Sequence, residues 1–424
     1  MRLLLLNQYY PPDTAATATM AQRVARALSA RHQVTVVAGR PSYDPHERHG
    51  WYLRRRFTDA DVQVVRVGST AYARRNMGGR LANYISYAAA AFLEGLRQPA
   101  DALLCMTDPP FLPILASWLA RLRRLPLIYN VRDLYPDMAV GGGIVRRSFW
   151  VRWWERLHAG AVRHAAGVIV LGEDMRERIL AYGAPPERVE VVRDGALPSP
   201  PEPDVEVRQR VAARVRDGWP FVAVHAGNLG FYGCWETLLE AARSVAEEGI
   251  SLVFVGDGAR RHLIEQLAGD CPAIRRLPFF PAREVPAMMA AADVHIVCLR
   301  RGLEGVVVPS KLYGILAAGQ AVLAVTPEQS DVARVVRRYG CGVVADPDSP
   351  DDVARALRWL RAHPAELAQM RRRAAQAATN FDQRHQLEHF LRTVERLVAS
   401  PTTAGTQLTA AGFSTARPGE PSSR

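Results

Sequence analysis

The sequence predicts an α/β protein built from two doubly wound, Rossmann-like domains that face each other across a cleft. Short apolar runs closed by Gly- or Pro-containing loops alternate with amphipathic stretches, the pattern of parallel βαβ units. That pattern starts at Arg2 and starts afresh at Phe221. Between the two starts lies Pro198-Ser199-Pro200-Pro201-Glu202-Pro203, a stiff linker by composition. A length of 424 residues is also too great for one ordinary core.

Residues 2–6 read as the first strand, closed by a polar, proline-containing loop over 7–14. The following helix carries Met20, Val24, Ala27 and Leu28 on one face, and residues 33–38 form the next strand after a right-handed crossover. Runs at 62–67, 102–106, 127–131 and 167–171 extend this sheet. In the second half, 221–226, 251–255, 274–277, 294–299, 321–325 and 342–345 repeat the scheme. The expected units are a first domain over residues 1–197, a linker over 198–204, a second domain over 205–382 and a C-terminal helix over 383–399. Residues 400–424, rich in Thr, Ala, Gly, Pro and Ser, have almost nothing to bury and read as a disordered tail. Trp150, Trp153, Trp154 and Leu157 follow i, i+3, i+4, i+7 spacing, the stripe of a core-facing helix. An interfacial helix is the competing reading, because arginines are interleaved with the aromatics.

The apolar run at Leu3–Leu6 ends at Asn7-Gln8, far short of a membrane span or a signal-peptide core. Five cysteines lie far apart with no metal-ligand spacing, as in a reduced, cytoplasmic protein without a zinc site. Residues 1–200 hold 27 arginines against 17 carboxylates, an excess of ten out of the total net charge of +12. The first half is therefore suited to an acidic partner. Nucleic acid is not expected, since the basic residues are scattered and no zinc-finger or RNA-recognition motif is present. A phosphorylated acceptor and an anionic membrane surface remain; for the latter the expectation is peripheral docking on the inner face of the cytoplasmic membrane, with Arg54, Arg55, Arg56, Arg146 and Arg147 as contacts.

Three loops at expected strand ends suit an anion. Gly227-Asn228-Leu229-Gly230 follows the first strand of the second domain, where glycines let backbone N–H groups approach a phosphate. Gly256-Asp257-Gly258 ends the next strand and suits a nucleoside; Asp257 reads more simply as a cap for the following helix. Pro309-Ser310-Lys311 leads into a helix over 312–318 and contains the only lysine among 54 basic residues. A position that stays lysine in so arginine-rich a chain points to a need for a compact ammonium rather than a planar fork. In the first domain, Asp133 follows a buried-looking strand and would face the cleft, where with Asp137 it could bind or deprotonate an acceptor hydroxyl; a turn or cap role is the alternative.

Together, Asn7-Gln8-Tyr9-Tyr10-Pro11-Pro12, Val131-Arg132-Asp133-Leu134-Tyr135-Pro136, Gly227-Asn228-Leu229-Gly230, Val255-Gly256-Asp257-Gly258 and Pro309-Ser310-Lys311-Leu312-Tyr313 resemble the family-4 retaining glycosyltransferases. These have the two-domain GT-B fold, and the branch resembled builds O-antigen and capsular polysaccharides. The resemblance covers about residues 1–395. It implies a nucleoside-diphosphate-sugar donor, UDP-linked ahead of GDP-linked, on Gly227, Asn228, Gly230, Gly256, Asp257, Gly258, Pro309, Ser310 and Lys311. It implies an acceptor saccharide, free or lipid-linked, near Tyr10, Asp133 and Asp137. No cofactor beyond the co-substrate, and no metal, is implied.

The chain departs from the family at several positions. Val306 and Gly314 stand where many members have two glutamates eight apart. Glu304 lies close by and takes that catalytic place if the loop is two residues longer; it reads equally as a solvated loop carboxylate. Asn228 and Gly233 replace the usual Arg and Lys, and Ala15-Ala16 replaces a glycine pair. The diphosphate would then depend on Lys311, Ser310 and backbone N–H groups, with Asp133 on the acceptor side. A transferase acting on a soluble natural product, a nucleotide-sugar epimerase and a noncatalytic sugar-nucleotide-binding protein are the rival expectations.

Overall fold

The computed structural model describes residues 1–42, 50, 52–72, 77–197, 200–201 and 203–400. The expected tail beyond Ser400 and part of the proline-rich linker lie outside the described residues. The first half runs β1 (Arg2–Leu6), α1 (Ala16–Ser29), β2 (Gln33–Ala38), β3 (Arg54–Asp59), β4 (Val62–Val67), α2 (Met77–Arg97), β5 (Ala102–Cys105), α3 (Leu112–Arg123), β6 (Leu127–Asn130), α4 (Asp137–Gly141), α5 (Phe149–His164), β7 (Gly167–Val170), α6 (Glu173–Ala181) and β8 (Val189–Val191). The second half runs α7 (Val205–Arg216), β9 (Phe221–Ala226), α8 (Trp235–Ser244), β10 (Ile250–Val255), α9 (Arg261–Ala268), β11 (Ile274–Leu277), α10 (Val285–Ala291), β12 (Val294–Cys298), α11 (Lys311–Ala317), β13 (Val322–Val325), α12 (Asp331–Tyr339) and β14 (Gly342–Ala345). Helices α13 (Pro350–Ala362), α14 (Pro364–Ala378) and α15 (Gln383–Ala399) follow.

The first sheet has the order β3-β4-β2-β1-β5-β6-β7-β8, the second β11-β10-β9-β12-β13-β14. Every pairing is parallel except β3 with β4. Strand order reverses between β1 and β5 in one sheet and between β9 and β12 in the other. Crevices at such switch points, outside the carboxyl ends of the strands, are where ligands bind in this architecture.

All four leucines of β1 are buried because helices cover both faces of the sheet. Side chains alternate along a strand, so Leu3 and Leu5 pack with α1 while Leu4 and Leu6 pack with α2 and α3. Strand β3 was not expected. Its Arg54-Arg55-Arg56 run is exposed and lacks the apolar pattern of a strand, as befits a charged edge that discourages further pairing.

Helix α15 returns to the first half. Its Phe390, Leu391, Val394 and Leu397 join the core formed by Leu3, Leu5, Val24 and Leu28. The crossing is fixed where Ala196 N–H donates to Phe381 O and Gln383 N–H donates to Ala196 O, both at 2.9 Å. Gly195, at φ +62°, is required there, since a Cβ would stand 2.4 Å from the Phe381 carbonyl oxygen.

The tryptophan stripe is a correction. In α5 the buried side is Val151, His158, Ala159, Ala161 and Val162, whereas Phe149, Trp150 and Trp153 are exposed. Small residues let the helix lie close to its neighbours, with His158 Nε2 held at 3.1 Å from the Tyr129 hydroxyl. Phe149, Trp150 and Trp153 are left outside, while Trp154 is half-buried and stacks on Tyr135.

Leu397 fills the space over Gly167, where a Cβ would stand 2.4 Å from it. Leu397→Ala should therefore lower stability by about 2–5 kcal/mol, read from the urea unfolding transition. An unchanged transition would mean that α15 adds nothing to the first core.

Candidate functional site

At the carboxyl end of β9 the chain turns through Gly227 at φ +133°, and beyond β10 through Gly256 at φ +138°. The two turns touch backbone to backbone. A Cβ on Gly256 would stand 2.1 Å from Gly227 O, and one on Gly258 would stand 2.5 Å from Leu229 O. Leu229 N–H donates to Asp257 O at 2.9 Å, tying the loops into one surface. Only glycine allows this approach, so the loops predicted as phosphate and nucleoside contacts form a single backbone-lined floor.

Lys311 stands over that floor. A Cβ built on Gly227 would stand 3.5 Å from Lys311 Nζ. The ammonium donates to His225 Nε2 at 2.8 Å and lies 5.9 Å from the Tyr232 ring centroid. Burial lowers its pKa to about 8. The same burial, with Lys311 beside it, lowers the pKa of His225 and keeps that imidazole neutral. The hydrogen bond assigns the acceptor nitrogen as Nε2, leaving Nδ1 facing Cys298 Sγ at 3.8 Å. An apolar recess of about 290 Å³ adjoins Lys311 between α10 and α11, lined by Ala226, Val285, Met289, Gly314 and Ile315.

Across the cleft, Asp133 follows β6. Burial pushes its carboxyl up to about 7, aided by Asp108 and Asp194 and opposed by Arg132. Arg132 is itself held by a bidentate pair with Asp194. Asp133 also raises the pKa of Tyr232, after burial and Cys298. Asp133 therefore shares the Tyr232 environment with Lys311.

The 299–308 segment of the second half clasps the first. Asp133 forms a β-bridge with Val307, and Leu134 N–H donates to Val306 O at 2.9 Å. Leu299, Leu303, Val306 and Val308 join a core with Tyr129, Val131 and Leu134. Beside it, Asp174 Oδ2 accepts from Gly305 N–H at 3.0 Å and Asp331 N–H at 2.9 Å, while Arg193 pairs with Asp331 at 2.7 Å. Burial pushes Asp174 up to about 6.

The structure thus brings Gly227, Asn228, Gly230, Gly256, Gly258, Pro309, Ser310 and Lys311 to one end of the second sheet. Four other expected residues engage local partners. Tyr10 is buried and donates to Asp59 Oδ2 at 2.7 Å, in a network with Gln22 and Arg26. Asp137 accepts from the Tyr182 hydroxyl and pairs with Arg178. The Glu304 carboxylate accepts from Gly302 N–H at 2.7 Å and so closes its own turn. Asp257 caps nothing: α9 starts later, at Arg261, and the carboxylate accepts from Gly258 N–H at 2.7 Å and pairs with Arg261 at 3.3 Å. His225 was missed, although an imidazole inside the apolar run of β9 is the signal that finds it. Among the described residues no group of three His, Cys, Asp or Glu is placed to hold a metal ion.

Residues 16–195 match the family described as Glycosyl transferase 4-like domain, and residues 212–380 match Glycosyl transferases group 1. The probable glycosyltransferase WbjE of Pseudomonas aeruginosa is 26% identical over 304 residues, 68% of this chain and 74% of that protein. The putative colanic acid biosynthesis glycosyl transferase WcaI of Escherichia coli K12 is 27% identical over 141 residues, 32% of this chain and 34% of that one. Among solved structures, sucrose-phosphate synthase from Thermosynechococcus elongatus has a TM-score of 0.71 at 13% identity, covering 94% of this chain and 99% of that one. Anabaena HepE in complex with UDP-glucose has a TM-score of 0.66 at 15% identity, covering 93% and 100%. These structures share the two-domain GT-B fold with this chain.

The contact between the two glycine turns makes a direct prediction. Gly256→Ala should cost about 1–3 kcal/mol of stability, measured by urea unfolding. Gly160→Ala, where a Cβ meets nothing within 4 Å, should be neutral or better. Equal effects at both positions would contradict the close approach.

Proposed function

We propose that this chain, which is a glycosyltransferase of the family-4 type with the GT-B fold, moves a sugar from a nucleoside diphosphate to an acceptor hydroxyl with retention at the anomeric carbon. The observation that carries the donor side is Lys311 standing over the glycine floor with a neutral imidazole as its partner. A desolvated ammonium in that position is matched by a diphosphate, and backbone N–H groups add to it. UDP is favoured as the nucleotide, ahead of GDP, and the UDP and UDP-glucose complexes of HepE support that choice.

Departure of the diphosphate is stabilised by Lys311, which is already oriented by His225 and needs no reorganisation as charge develops. The acceptor hydroxyl enters from the Asp133 side. Ionised Asp133 accepts its hydrogen bond and orients it towards the anomeric carbon, on the same face that the diphosphate leaves. A diphosphate oxygen then takes the proton. Neither Glu304 nor Asp137 has a part in this scheme, because both are committed to local hydrogen bonds.

The acceptor is a lipid-linked saccharide of a cell-surface polysaccharide, met from the cytoplasmic side at an anionic membrane. The arginine excess of the first half supports this reading. No described helix is long and apolar enough to cross a membrane, so association would be peripheral. Arg54 is not a free contact, because it is paired with Glu94.

Calorimetric titration should show UDP binding to the wild-type protein and loss of at least about tenfold in affinity for Lys311→Arg, whose planar fork does not fit a point-charge site. Absence of binding by any nucleoside diphosphate would end the proposal. The pH dependence of kcat/KM gives a second test. Asp133 must lose its proton, so the rate should rise through pH of about 7; Lys311 must keep its own, so the rate should fall above about 8. Asp133→Asn should remove the acidic limb along with most activity. An unchanged limb would exclude Asp133.

A further inference from the structure

We infer that the outer face of α2, α3 and α5 is an interfacial docking surface that seats shallowly in an anionic bilayer through aromatic and aliphatic side chains. These helices lie side by side, α2 against α3 and α3 against α5. In α5, Phe149, Trp150 and Trp153 are 68%, 72% and 50% exposed. In α3, Leu122 is 66% exposed and Trp118 lies one turn before it, also exposed. In α2, Leu81, Ile85 and Leu93 are exposed at multiples of four residues, a stripe along one side of the helix. A large apolar face on a folded protein marks an interaction site.

The charge around these side chains selects the occupant. Arg121, Arg124, Arg146, Arg147, Arg152 and Arg156 are exposed, and none forms an ion pair among the described residues. Over residues 77–97, 112–124 and 142–164 the carboxylates are Glu94 and Glu155 alone. Glu94 is buried and paired with Arg54. Tryptophan and arginine with few acids is the composition of a headgroup-level surface. A second copy of this chain is a poor match, because a two-fold contact would set arginines against arginines. Helices α2 and α3 begin after the carboxyl ends of the first-sheet strands β4 and β5, and α5 follows β6 by way of α4. Of the exposed apolar residues, Leu81, Phe149 and Trp150 lie nearest those carboxyl ends, and Leu93 and Leu122 lie nearest the other. Seating the former end brings the Asp133 cleft towards the membrane, where the lipid-linked acceptor proposed above would be met; the inference rests on that reading for its purpose but not for its geometry.

Arginines alone would give an association that salt abolishes, whereas inserted rings add a component that salt does not screen. The test is flotation of the full chain with phosphatidylcholine vesicles, with and without phosphatidylglycerol, at low and high salt. The wild-type protein should float with the anionic vesicles and keep a bound fraction at high salt, and brominated acyl chains should quench its tryptophan fluorescence. Trp150→Ser/Trp153→Ser should lose the salt-resistant fraction and most of the quenching. Arg146→Gln/Arg147→Gln should weaken low-salt binding about tenfold or more. Both pairs are exposed, and UDP titration of each variant reports an intact donor site. Failure of wild-type protein to float, or flotation and quenching unaltered in the tryptophan variant, would overturn the inference. A wild-type dimer in sedimentation equilibrium that the tryptophan variant dissociates would overturn it too, in favour of a second copy. Loss of UDP binding by the wild type would refute the proposed function and leave the docking surface standing.

Discussion

An ammonium short of counter-charge is the constraint around which the second half is arranged. Lys311 has three N–H donors, and its one hydrogen bond among the described residues goes to a neutral imidazole. A carboxylate beside it would complete the pair but would also repel a phosphate. Burial without such a partner lowers the lysine pKa and leaves the position prepared for an anion. The glycines follow from this, since Gly227, Gly256 and Gly258 keep the floor beneath the ammonium free of side chains and bring two backbone turns into contact.

Two separate devices hold the acceptor side opposite. The 299–308 segment lends apolar side chains to a core of the first half and bridges the backbone at Asp133 itself, so a residue of one half is positioned by a loop of the other. Helix α15 returns to pack on the first sheet, and a pair of backbone hydrogen bonds at Ala196 fixes the crossing. Asp174 and Asp331 couple these regions through buried hydrogen bonds to backbone and to Arg193. Removing one partner of such a network leaves a buried charge exposed to the full cost of desolvation.

Most strands were legible because a sheet covered on both faces demands near-continuous apolar runs, and loops ending in glycine mark their carboxyl ends. Strand β3 was not legible, because a charged edge carries no such run. The glycine floor and Lys311 could be read from spacing and from the rarity of lysine. Side-chain direction could not. Tyr10 lies in the proline-containing loop over 7–14 but turns into the core towards Asp59, and Glu304 folds back on its own turn. Helical spacing located a stripe on α5 but not the side it faces. The core took Val151, Ala159, Ala161 and Val162, whose small size permits close packing, and left Trp150 and Trp153 outside. The imidazole inside the apolar run of β9 marks His225 as unusual, but its role shows only with its partner, Lys311, 86 positions away.

The solitary lysine allows the central claim to be measured without interference. Incorporating ¹³Cε-lysine into tag-free protein yields one lysine side-chain resonance, that of Lys311. Its pH titration should give a midpoint near 8 in the free protein, and addition of UDP should shift that midpoint upward as the phosphates supply the missing charge. An ordinary lysine midpoint that does not respond to UDP would contradict the account.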